Sequence, residues 1–191
     1  MSKSILDKHN YLKNIDLLRA TIREYDMHEA GFSLIRENKL LPEEEILYLI
    51  GLTKLERTIE IGRLMKSNKN LAKNLMNSFI DIRHKFYEAN NINEDNILSI
   101  KKDAVFTVNK VCKELKFGNY IEFKLKNRYS SFYHLNDIEL YYDSRSNNLD
   151  VKGLGNLSSP LFDELKRIMK VNEIPKNNDL LFTLIKKLRS R

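Results

Sequence analysis

The chain has 191 residues, 42% hydrophobic and 31% charged, a balance that describes a folded globular protein and excludes a disordered one. Its formal charge of +7 favours a polyanionic partner without naming which. No apolar run is long enough to span a bilayer, the charge-broken start does not read as a signal peptide, and the single Cys112 fits a reducing, cytoplasmic setting.

Ile5 to Leu18 carries Leu6, Tyr11, Leu12, Ile15 and Leu18 at a spacing that predicts a short amphipathic helix. Ala20 to Asp26, with Thr21, Ile22 and Tyr25, predicts a strand, and Ala30 to Asn38 a helix. Asp26 therefore falls at a strand-to-helix transition, which suits a functional acid and equally a plain N-cap. Leu41-Pro42-Glu43-Glu44-Glu45 opens the next helix, which runs to about Leu52 with its acids at the positive end. Lys54 to Lys66 predicts a helix on which Lys54, Arg57 and Arg63 approach one face, either solvated or anion-binding. Asn70 to Asn90 predicts a longer helix with a core stripe of Leu71, Leu75, Phe79, Ile82 and Phe86.

Ile97 to Ile100 and Val105 to Val108 read as two short strands of a hairpin. Asp103 is the only acid in it, at the start of the second strand, and reads either as a solvated turn acid or as one placed to hold a cation. Tyr120 to Leu125, Arg128 to Leu135, Ile138 to Tyr142 and Leu149 to Leu154 predict further strands. Pro160 opens a helix to about Lys170, and Asp179 to Arg191 predicts a last basic helix. The fold class is α+β: a helical N-terminal half, a central β-hairpin with a small antiparallel sheet, and C-terminal helices. Residues 1–155 are expected to form one domain with a helical insertion at 40–90, followed by a helical segment at 156–191. The four histidines lack ligand spacing, and no nucleophilic triad, P-loop or dinucleotide fingerprint is present.

Acids at two strand ends are what two-metal phosphoryl transfer requires, since carboxylates on rigid supports must hold two Mg²⁺ ions about 4 Å apart. Glu24-Tyr25-Asp26, followed by a turn and Ala30-Gly31-Phe32-Ser33, is similar to the first metal-binding motif of replicative family B DNA polymerases. Lys101-Lys102-Asp103-Ala104 resembles that family's Asp-Thr-Asp-Ser hairpin, with Lys101 in place of the first acid. Lys126-Asn127-Arg128-Tyr129 resembles its Lys-Lys-Arg-Tyr stretch, and Asp150-Val151-Lys152-Gly153 its apolar run into Lys-Gly. Lys73, Asn77 and Ser78 are similar to its finger-helix pattern. These matches run in the family's order from Tyr25 to Leu154.

The resemblance implies a palm-like domain with a thumb-like end at 156–191. It implies a template-dependent polymerase or nucleotidyltransferase in which Asp26 and Asp103 hold Mg²⁺ or Mn²⁺. Lys54, Arg57, Arg63 or Lys73 would hold a nucleoside triphosphate. Lys126, Arg128, Tyr129 and Lys152 would contact the nucleic-acid backbone. Gly31, where family members carry a bulky residue, would leave discrimination against ribonucleotides loose. Partners would be nucleic acid, nucleoside triphosphates and other replication or transcription subunits, with no membrane. The competing expectations are a non-catalytic nucleic-acid-binding palm relic and a structural or protein-interaction domain.

Overall fold

The computed structural model describes residues 4–135, 138–153 and 159–170 of the chain. The fold is α+β. It divides into two compact units, Met1–Lys13 with Arg23–Asn127, and Asn14–Ile22 with Arg128–Arg191.

In the first unit, β1 (Asn10–Leu12), β3 (Ile97–Lys101), β4 (Ala104–Val108), the end of β2 (Leu17–Met27) and the start of β5 (Phe123–Leu135) lie side by side in the order β1-β3-β4-β2-β5. β1 pairs antiparallel with β3 through Tyr11 and Ile100, and β3 with β4 through Ile100 and Val105. Four helices complete the unit: α1 (Ala30–Glu37), α2 (Glu43–Gly51), α3 (Lys54–Ser67) and α4 (Lys69–Ala89). Thr53 and Glu56 form a capping box at the start of α3. Asn68 ends α3 and caps α4, its side chain accepting from the Leu71 N–H. The α4 stripe buries Leu71, Leu75, Phe79, Ile82 and Phe86 in one core with Tyr25 and Met27 of β2 and Leu34 and Ile35 of α1. Phe86 stacks on Phe123 with ring centroids 4.3 Å apart. Each such fully buried side chain contributes about 2 kcal/mol.

Two expectations are corrected here. The helix expected over Ile5 to Leu18 is instead a 3-10 turn, Ile5–Asp7, followed by β1 and the start of β2. Strand pairing overrides the helical spacing, because Asn10 to Leu12 completes the β3 edge of the sheet, while Leu6 and Tyr11 pack against the core. The strands expected at Tyr120 to Leu125 and Arg128 to Leu135 are one continuous β5. Asn127 does not break it, because its side-chain amide is held by Glu24 on the neighbouring β2.

The second unit contains the opening of β2, the rest of β5, β6 (Ile138–Asp143), β7 (Asn148–Lys152) and α5 (Ser159–Lys170). β5, β6 and β7 pair in succession, with Phe132 opposite Tyr141 and Tyr141 opposite Asp150. Tyr141 packs against Phe132 and Tyr129 at 4.9 and 5.2 Å between centroids. The Tyr141 hydroxyl donates to Glu139 at 2.7 Å, and the Tyr129 hydroxyl to Asp150. The helix expected at Asp179 to Arg191 lies outside the described residues.

Candidate functional site

The site lies in the first unit, and the alternation of β2 builds it. Tyr25 and Met27 belong to the core beneath the helices. Glu24 and Asp26, two residues apart, therefore share the opposite face of the strand. β4 lies beside β2. The β3–β4 hairpin closes through a tight turn of Lys102 and Asp103, with Lys101 paired to Ala104. Lys102 sits at φ 49°, in the left-handed region.

That turn is held from three sides. The Met27 N–H donates to the Asp103 carbonyl at 3.0 Å, tying the end of β2 to the hairpin tip. The Lys102 N–H donates to the His9 carbonyl at 2.6 Å. From α4 below, the fully buried guanidinium of Arg83 donates to the Lys102 carbonyl and, at 2.9 Å, to the Lys8 carbonyl. The Lys102 ammonium lies 4.8 Å from the centre of the Phe79 ring.

Asp26 and Asp103 thus line one cleft of about 360 Å³, with apolar walls from Phe32 of α1, Ile61 and Met65 of α3, and Phe79 of α4. That volume suits a small-molecule ligand. Burial raises the Asp103 pKa above the ordinary carboxylate value, and the nearby Asp26 charge raises it further. On the other side of Asp26, the Lys126 ammonium lies 3.3 Å from Asp26 Oδ2 and 3.8 Å from Glu24 Oε1. The Asn127 amide donates to Glu24 Oε2 at 2.8 Å.

Among the expected triphosphate contacts, Lys54 and Arg57 line the cleft. Arg57 is also committed elsewhere. It donates to Glu29 at 2.7 Å and to the Leu49 and Leu52 carbonyls at 2.9 and 2.8 Å, and stacks over Phe32. Arg63 is exposed, pairs with Glu60 at 3.1 Å and lies outside the cleft lining. Lys73 is exposed on α4 and also outside it. The Lys126 ammonium, expected to contact the nucleic-acid backbone, lies 3.3 Å from the Asp26 carboxylate. Arg128, Tyr129 and Lys152 belong to the second unit: Arg128 is exposed, Tyr129 buried, and the Lys152 ammonium lies 5.2 Å from the centre of the Tyr141 ring. Gly31 lines the cleft, and a Cβ there would make only ordinary contact, 3.8 Å from Ile61.

A family model described as bacteriophage PBS1 gene 130 protein matches residues 1–190. The chain belongs to the bacteriophage PBS1 gene 130 protein family. No curated protein matches it. Among the described residues of this family member, no helix is long and apolar enough to cross a membrane.

In this gene 130 family chain, Asp26 and Asp103 are the acids in the cleft that could hold a divalent cation. Among the described residues no group of three or more His, Cys, Asp or Glu converges to form a closed metal cage. Mg²⁺ does not need one, since it is commonly held by one or two carboxylates, with water and substrate phosphates filling the other positions. Asp26 and Asp103 are such a pair, and the Lys126 ammonium already stands at Asp26 as a cation. Sequence reasoning missed Glu24 and Arg83. The period-2 alternation of β2 carried the signal for Glu24, two residues before Asp26. Arg83 gave none, because a lone arginine within an apolar helical stripe reads as a surface residue.

Proposed function

We propose that this chain is a divergent, palm-like nucleotidyltransferase that uses a divalent cation to act on a nucleoside triphosphate, with nucleic acid as the acceptor or template. One observation carries the reading: Asp26, near the end of β2, and Asp103, in the turn that leads into the neighbouring β4, line a single cleft though far apart in sequence. Mg²⁺ or Mn²⁺ bound there would neutralise phosphate charge and lower the pKa of the attacking hydroxyl.

The chain's own residues have distinct roles. Asp26 and Asp103 supply the metal's carboxylate oxygens. Arg83 and Met27 fix the hairpin tip, so the Asp103 carboxylate does not reorganise when charge arrives. Lys54, exposed and lining the cleft, meets the triphosphate. Gly31 leaves room for a ribose 2′-hydroxyl. Arg128 would contact a nucleic-acid phosphate. Other replication or transcription subunits would complete the assembly.

The test is incorporation of labelled nucleotides into a primed template by the full chain in Mn²⁺. Activity lost at least a thousandfold in both Asp26→Asn and Asp103→Asn is expected. A chain that neither transfers nucleotide nor binds Mn²⁺ through these acids would sink the proposal. Neutralisation of Asp26 by Lys126 favours a second reading, a non-catalytic nucleic-acid-binding protein. Nucleic-acid binding that weakens with salt, indifferent to metal and to both substitutions, would select it.

A further inference from the structure

Lys126 is the feature of the site that a two-metal arrangement does not explain. Its ammonium lies 3.3 Å from Asp26 Oδ2 and 3.8 Å from Glu24 Oε1. Glu24 is buried, whereas the Lys126 side chain is 56% exposed. The lysine therefore reaches from solvent to a carboxylate that the fold has already taken out of water. A buried carboxylate is costly without a counter-charge, so this ammonium is anchored by Glu24 and not by Asp26 alone. Asn127, the next residue, holds the other Glu24 oxygen at 2.8 Å and fixes its orientation.

We propose that Lys126 is a built-in second cation, so that the site takes one divalent ion and not two. The inference rests on the reading of Asp26 and Asp103 as metal ligands. A dication approaching the Lys126 side of Asp26 meets a positive charge already seated there. On the cleft side Asp26 is joined by a second carboxylate, Asp103, in a lining that also holds Lys54, Arg57 and Lys102. The ammonium supplies fixed positive charge at Asp26, where a second ion would otherwise sit. Lys126 touches the metal ligand and is a positioning residue by this account.

The experiment is a Mn²⁺ titration of the full chain followed by electron paramagnetic resonance, which counts bound ions without any turnover. The wild-type chain is expected to bind one Mn²⁺, and Asp103→Asn to lose it. Lys126→Gln removes the charge and shortens the side chain by a single atom. It is expected to bind a second Mn²⁺, or to bind the first at least tenfold more tightly. Lys126→Arg keeps the charge and should behave as wild type. Two ions on the wild-type chain would overturn the inference and leave the phosphoryl-transfer reading intact. So would Lys126→Gln matching wild type in both number and affinity. No Mn²⁺ bound by either chain would remove the metal reading itself, and this inference with it. The wild-type stoichiometry decides even if Lys126→Gln fails to fold.

Discussion

The guanidinium of Arg83 donates to the backbone carbonyl of Lys102, the residue immediately before Asp103. A fully buried cation on α4 therefore sets the position of an acid on the hairpin above it. Arg83→Met keeps the apolar stem and strips the donors, leaving the Lys102 and Lys8 carbonyls without that partner. The expected cost is about 3 kcal/mol in chemical denaturation. Arg83→Lys should not rescue it, because an ammonium lacks the planar fork that reaches both carbonyls. A loss below about 1 kcal/mol would show that the hairpin holds its shape without this contact.

Asp103 is held against its own ionisation by burial and by the Asp26 charge. In metal-free solution, Asp103→Asn is expected to melt at the same temperature as wild type or a few degrees higher. Mn²⁺ should then raise the wild-type melting temperature and leave the variant unmoved. A variant clearly less stable than metal-free wild type would mean that the carboxylate serves the fold and not a cation.

Gly118 sits at φ 89°, and a Cβ there would come within 2.2 Å of a Glu37 carboxylate oxygen. That carboxylate accepts from the N–H groups of Asn119 and Tyr120, each at 2.9 Å, and so pins the segment before β5 to α1. Gly118→Ala is expected to cost about 2 kcal/mol, read as a shift in the urea midpoint. Gly51→Ala serves as the contrast, because nothing lies within 4 Å of its added methyl. It should be neutral or stabilising by up to about 1 kcal/mol.

Burial pushes the Cys112 thiol up from 9.0 to about 11 and the Tyr87 hydroxyl up from 10.0 to about 12. Both groups stay neutral in the folded chain at pH values where the unfolded chain has already released their protons. Their stabilising effect is complete below pH 9 and is lost as pH rises from about 9 to about 12. The urea midpoint should fall steadily across that window, and Cys112→Ala should remove the earlier part of the fall. Native Cys112 should also resist alkylation at pH 8 and react at least tenfold faster in urea.

How far the sequence could be read depended on the range of the interactions involved. α2, α3 and α4 were legible because Pro42, the acids that follow it and the Leu71–Phe86 stripe are local signals. The hairpin carrying Asp103 was legible for the same reason, and the strand ending near Asp26 as well. The N-terminal segment misled, because Asn10 to Leu12 becomes a strand only through β3, some ninety residues away. Asn127 misled in the opposite sense, as a polar residue inside a strand whose partner, Glu24, is equally remote. The same limit applied to the site. Two acids could be nominated, but the charges that govern them, Arg83 beneath Asp103 and Lys126 on Asp26, come from elements far away in the chain.

β2 places core anchors and acids on alternate residues: Tyr25 packs at 5.6 Å from Phe86, and Asp26 faces the cleft. Inserting or deleting one residue before Tyr25 would exchange the two roles, driving a carboxylate into the helix core and a phenol ring into the cleft. The length of this strand is therefore fixed by two demands at once, and relatives that retain the site can change residues here but cannot change their number.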